Sequence, residues 1–174
     1  MHNRIATGGT LMDPNAVIEV FRRNLTEHYF DLKGRVGRQE FWYFVLASFV
    51  VYIAAAIVDA VIRTGLLVPL VSLALLLPMT GLGARRLQDI GRNGQLIWVW
   101  TISSGVMQLI GLLTAISGPF GALGFLYFFF SIGWLIGLVA LVVSLALIYF
   151  WIQPGTPGAN EFGPDPNAAA PKSA

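Results

Sequence analysis

The sequence predicts an all-α membrane protein: a bundle of four transmembrane helices with an amphipathic N-terminal helix and both termini in the cytoplasm. Three observations carry that prediction. Of 174 residues 56% are hydrophobic and 11% charged, whereas a soluble domain holds about twice that charged share. The apolar residues are gathered into long uncharged runs, each about the length needed to cross a bilayer. The basic residues that flank these runs fall almost entirely on one side of them.

Composition also removes several classes of function. The 11 basic and 9 acidic residues leave no basic stripe of the kind a duplex binder needs, so nucleic acid is not an expected partner. With no cysteine, and His2 and His28 as the histidines, thiolate metal sites, cysteine nucleophiles and most histidine-based schemes lack parts. No metal and no cofactor are expected.

Residues 1–12 are unpatterned and read as disordered. Asp13-Pro14 starts a helix, a capping side chain followed by proline at the first helical position. Over residues 13–33 the apolar positions Val17, Ile18, Phe21, Leu25, His28, Tyr29 and Leu32 share one face, with Glu19, Arg22, Arg23 and Glu27 mostly opposite. Such a helix either lies in the headgroup plane or packs on the membrane domain or a second subunit.

A membrane domain is expected over residues 34–152. The early residues lack an apolar core with a small-residue cleavage site, so the first run reads as a retained span, not a signal peptide. Residues 41–58 carry no charge and give roughly 27 Å of helix. Residues 59–65 read as a short turn, and 66–83 form a second run in which Pro78 can kink the helix. A third span covers 96–116 and ends in "SGPFG". The last apolar stretch is too long for one crossing, so its span is placed at 131–152 with residues 125–130 in the interface, a single strongly tilted helix being the alternative. The tail, 153–174, is rich in Pro, Gly and Ala and reads as a turn followed by disorder.

Orientation follows from charge. Arg22, Arg23, Lys33, Arg35 and Arg38 precede the first span, Arg85, Arg86 and Arg92 lie between the second and third, and the other side has Arg63. The positive-inside rule puts the termini and the loop "ARRLQDIGRNG" (84–94) in the cytoplasm. Phe41, Trp42, Tyr43, Trp98, Trp100, Tyr149 and Trp151 cluster at the same ends, where amphipathic rings favour the headgroup level.

Three stretches carry a family resemblance. "KGRVGRQEFWYFVL" (33–46), "GARRLQDIGRNG" (83–94) and "PGTPGANEFGPDP" (154–166) resemble, in order and spacing, the signatures of the small bacterial inner-membrane proteins called domain of unknown function 805. The chain departs from the usual pattern at Gln88, where a histidine is common, and in a long segment between the third and fourth spans. The resemblance implies fold and location; it implies no mechanism.

Arg35, Arg38, Glu40, Arg85, Arg86, Asp89 and Arg92 all fall at one membrane face. The plainest role for the arginines is to fix topology. A sharper one is a phosphate or headgroup pocket, since planar guanidiniums suit bidentate phosphate binding and surface potential adds about 1 kcal/mol per basic residue. Asp89 can bridge Arg85 or Arg86 on one helical turn, and Asn160 can fold back against the arginine loop. Gly91, Asn93 and Gly94 are read as the positive-φ positions of a tight loop. No catalytic constellation appears: the expected spans hold no ionisable residue, their strongest polar group being Gln108, and the carboxylates Glu40 and Asp89 have arginine neighbours. The expected function is a non-catalytic inner-membrane module that binds anionic lipid or a protein partner. The alternative is a subunit of a small channel or transporter, with Gln108, Ser103, Ser104 and Ser144 lining a path in an oligomer. An interfacial enzyme acting on lipid phosphate is a third reading. Gly105, Gly111, Gly133 and Gly137 are candidate helix-contact positions for a homo-oligomer.

Overall fold

A computed structural model describes residues 13–168. The expectations for residues 1–12 and for the end of the tail, 169–174, lie outside them. Among the described residues the fold is all-helical, without a strand: α1 (Pro14–Thr26), α2 (Arg38–Ile62), α3 (Leu67–Asp89), α4 (Ile97–Phe128) and α5 (Trp134–Ile152). A single 3-10 turn, Gly94–Leu96, leads into α4 and a π turn, Phe129–Gly133, into α5. Three segments are long and apolar enough to cross a membrane: Arg38–Ile62, Leu67–Asp89 and Gly94–Ile152.

The start of α1 follows its sequence. The Asp13 carboxylate accepts from the Asn15 N–H at 2.9 Å and Pro14 occupies the first turn. Its end does not, because the helix stops at Thr26, not near residue 33. From there the chain docks on α3: the Tyr29 hydroxyl donates to the Ala74 carbonyl at 2.8 Å, and the Asp31 backbone lies where a Cβ on Gly81 would meet it at 2.8 Å. Those contacts replace the last turns of the expected helix, so His28, Tyr29 and Leu32 are not part of a helical stripe. Phe21 packs on Phe44 of α2 with ring centroids 5.3 Å apart, while Ile18 is 64% exposed.

The turn expected at 59–65 is shorter, since α2 continues to Ile62 and Arg63 closes it in the left-handed region at φ 54°. Asp59 sits in the last turn of α2 and serves its neighbour: its carboxylate accepts from the Val68 N–H at 3.2 Å and from the Thr64 hydroxyl at 2.6 Å. It thereby satisfies one of the orphan donors at the start of α3. At the other end α3 runs on through Asp89, so "ARRLQD" is the last part of a helix and only residues 90–93 form the loop.

Gly94–Ile152 is one apolar stretch of 59 residues. As a straight helix it would reach roughly 88 Å, far beyond a bilayer. Instead Gly118 adopts φ 58°, ψ −138°, a backbone conformation essentially reserved for glycine, and Pro119 follows. The chain folds back there: Ser103 and Ile136, which a straight helix would hold roughly 50 Å apart, line one cleft. Helix and π turn also take in residues 125–130. The Thr80 and Thr101 hydroxyls, 2.9 Å apart, join α3 to α4.

The core is gathered at one end of the bundle. Val36, Phe41, Phe44, Leu82, Leu87, Ile97 and Trp151 are buried there, and Arg86 and Asp89 are buried among them.

Candidate functional site

The last turn of α3 projects Arg86 and Asp89 three residues apart, and they pair directly. Arg35, in the segment that leads into α2, approaches the same carboxylate because the neighbouring Val36 N–H donates to the Arg85 carbonyl at 3.3 Å. Its Nε and Nη2 each lie 3.0 Å from Asp89 Oδ1. Asp89 is therefore held between two guanidiniums with none of its surface exposed.

The remaining donors of both arginines reach the end of α5 and the chain beyond it. Arg35 donates to the carbonyls of Gly158 at 2.5 Å and Thr156 at 2.6 Å. Arg86 donates from Nε to the Trp151 carbonyl at 3.2 Å and from Nη2 to that of Gln153. Arg38 reaches the Ile152 carbonyl at 3.4 Å, and Arg92 stacks over the Phe150 ring, 5.4 Å from its centroid. The last carbonyls of a helix have no partner within it and carry its negative end. Here arginines supply the donors for α5.

The tail returns these bonds. Thr156 donates its N–H at 2.9 Å and its hydroxyl at 3.0 Å to the Asp89 carbonyl. Asn160 donates from Nδ2 to the Gln88 carbonyl at 2.9 Å. Gly155 passes so close to the Asp89 carboxylate that a Cβ there would collide with it. The backbone N–H of Asn167, joined by that of Gly158 and by the charge of Arg35, holds the Asp165 carboxyl below its ordinary value, against a smaller opposing effect of burial. The tail read as disordered is thus ordered from 153 through at least Asn167. Its Pro, Gly and Asn residues give it no helix or strand, and its carbonyls are fixed by side chains from elsewhere in the chain.

The seven residues expected to converge on one face divide into two groups. Arg35, Arg86 and Asp89, with Asn160 beside them and Arg38 and Arg92 at the end of α5, form the clasp just described. Arg85 turns the other way: its Nη2 donates to Asn24 Oδ1 of α1 at 2.8 Å, and Asn24 and Arg23 reach Glu40 at 3.4 Å and 2.6 Å. Asp89 therefore does not bridge Arg85. The guanidiniums of Arg35, Arg85 and Arg86 are not spare groups facing lipid; Arg85 is 5% and Arg86 0% exposed. Of the three loop residues, Gly91 has positive φ, at 72°. Asn93 is extended and accepts from the Gln95 N–H at 2.9 Å, and Gly94 packs against Ala84 and Gln88.

Sequence reasoning missed Thr156 and Asn24. Nothing in the sequence distinguishes Thr156. Asn24 had a signal: it lies three residues after Phe21 and seven after Val17, a polar residue within the apolar stripe of α1, and it is fully buried. Among the described residues no group of acidic or histidine side chains is placed to hold a metal ion.

All three sequence motifs meet in this one network, and comparison with known proteins follows the same boundary. The family model described as protein of unknown function, DUF805, matches residues 29–164. The chain belongs to the DUF805 family. The part matched by the DUF805 model contains the whole clasp, whereas α1, with Arg23 and Asn24, precedes it. Curated relatives include the inner membrane protein YhaH of Escherichia coli strain K12, 30% identical over 146 residues, which cover 80% of this chain and 90% of that protein. Inner membrane protein YhaI of the same strain is 27% identical over 147 residues, 82% of this chain and 92% of that one. No solved structure matches the DUF805 chain.

Proposed function

We propose that the chain is a non-catalytic, four-span module of the bacterial inner membrane, with both termini in the cytoplasm and an arginine-bearing cytoplasmic face that rests on anionic lipid. Its relatives are inner membrane proteins. The fold-back at Gly118 supports counting Gly94–Ile152 as two crossings, which brings the total to four.

The observation that carries the lipid reading is the division of labour among the basic residues. Arg35, Arg85 and Arg86 are buried inside the protein. Arg22, Lys33, Arg38 and Arg92 stay exposed and belong to the arginine-rich end, where attraction to anionic headgroups is worth about 1 kcal/mol per residue. The carboxylates of Glu40 and Asp89 are both paired with guanidiniums, which favours a non-catalytic reading over an interfacial enzyme. The hydroxyl of Ser103, one of the residues a path would need, donates to the Val99 carbonyl of its own helix at 2.8 Å, which favours it over a channel subunit.

Two measurements test this. Alkaline phosphatase and fluorescent reporters fused at the C-terminus and inserted after Arg63 and after Pro119 are expected to report cytoplasm, periplasm and periplasm in turn; a periplasmic C-terminus defeats the four-span reading. In nanodiscs that mix phosphatidylcholine with phosphatidylglycerol, the anionic lipid is expected to co-purify with the chain and to decline in an Arg38→Gln, Arg92→Gln variant. Equal recovery of both lipids from the wild type defeats the lipid reading.

A further inference from the structure

The arginines of the clasp and those on the α1 side of α3 are used differently. A guanidinium offers two parallel donors on its Nε/Nη2 edge, a fork matched to two oxygens of one oxyanion. In Arg35 both donors of that edge meet Asp89, and in Arg86 both meet carbonyls. In Arg23 and Arg85 the edge is half used. Arg23 Nη2 donates to Glu40 and Arg85 Nη2 to Asn24, but the Nε of each is buried and has no hydrogen-bond partner among the described residues.

These two half-used forks belong to one chain of contacts, Arg23 to Glu40 to Asn24 to Arg85. In direct contact two guanidiniums share one carboxylate; the nearby Asp31 carboxylate acts on Arg85 only through space, and it is 44% exposed and lies 3.4 Å from His28. Arg85 meets a neutral amide oxygen where the buried cation would gain more from an anion. A buried, unpartnered donor costs free energy, and this chain of contacts holds two. A tetrahedral oxyanion supplies what is missing, an oxygen for each unpartnered Nε and a negative charge in direct contact with Arg85.

We propose that Arg23 and Arg85 form a binding site for a phosphate-class oxyanion under α1, closed in this conformation by the side chain of Asn24. Binding turns Asn24 Oδ1 away from Arg85 and puts phosphate oxygens on the Nε of both arginines and on the Nη2 of Arg85, while Arg23 Nη2 stays on Glu40. Arg23, whose side chain is 38% exposed, is the entry side. The site deepens the anionic-lipid reading and rests on it: a headgroup phosphate beside α1 is the nearest source, and free phosphate is the other.

The test uses the full chain in the phosphatidylcholine and phosphatidylglycerol nanodiscs, with native mass spectrometry of the lipid that stays bound after release. The wild type is expected to retain phosphatidylglycerol, Arg23→Gln to retain about tenfold less, the worth of a charge-assisted hydrogen bond, and Asn24→Ala to retain more. Arg63→Gln, at the other end of the bundle, is the control. Arg23 makes a single side-chain hydrogen bond at a partly exposed position, and thermal unfolding of each variant verifies that it is folded. A parallel arm follows the phosphorus-31 line width of inorganic phosphate with the detergent-solubilised chain. Broadening that Arg23→Gln removes, without any change in retained lipid, keeps the site and makes free phosphate its ligand. If neither signal responds to Arg23→Gln or Asn24→Ala, the site is overturned. If lipid retention then falls only in the Arg38→Gln, Arg92→Gln variant, the broader lipid reading survives; if no anionic lipid is retained at all, both fall.

Discussion

The two ends of this bundle are built on different principles. At the arginine end, Phe41, Leu82, Leu87 and Ile97 are completely buried around a fully buried Arg86 and Asp89, and every signature motif contributes a hydrogen bond. At the fold-back end, Phe120 is 85%, Tyr127 79% and Phe130 76% exposed, and what shapes the chain is the backbone at Gly118. The contrast reflects the solvent. Apolar side chains gain little by leaving lipid for each other, so apolar faces alone do not specify how membrane helices pack. Polar ties must do so, and this chain concentrates them at one end.

The comparison can be broken most strongly at Asp89. Asp89→Ala leaves two buried guanidiniums without their shared carboxylate and is expected to cost about 3–5 kcal/mol. Thermal unfolding in detergent measures it, and limited proteolysis is expected to begin within residues 153–163, the segment Arg35 and Arg86 no longer hold. At the other end, Gly118→Ala forces a side chain into a glycine backbone conformation at about 1–3 kcal/mol, with the tail still protected. A loss as large as that of Asp89→Ala would erase the distinction between the ends. Between them, Thr80→Val removes the hydroxyl bond to Thr101 and is expected to cost only about 0.6 kcal/mol.

The smallest effect is a pH dependence. The Asp165 carboxyl is held below its ordinary value, so its contribution to the tail is complete at neutral pH and fades as pH falls below about 3.9, the value of a free Asp. Amide exchange at Gly158 and Asn167, its backbone donors, is expected to quicken there. Unchanged protection down to lower pH would separate the turn from this carboxylate.

How legible each part was depends on where its energy comes from. The apolar segments were visible because burial in lipid is written into composition over some twenty residues, and the start of α1 because its cap is local. The end of α1 was not, because the Tyr29 hydroxyl bonds to α3, 45 residues away, and the Asp31 backbone packs against Gly81. Sequence reasoning placed Arg35, Arg86 and Asp89 at one end from their charge beside the apolar runs, but it did not give their partners. Their acceptors are main-chain carbonyls of the tail, which every residue possesses and no sequence pattern marks. The same holds for Asn24, whose polarity inside an apolar stripe was a signal without an address.

The capping of α5 by Arg86 also orders events during synthesis. Residues 153–163 leave the ribosome after every apolar helix, yet they carry the carbonyls and the threonine that complete the bonds of Arg35, Arg86 and Asp89. Until then the Arg35 and Arg86 donors that reach Thr156, Gly158 and Gln153 lack those acceptors. A chain that stops short of Thr156 therefore leaves Arg35 without two of its carbonyl acceptors and the Asp89 carbonyl without both of its threonine donors.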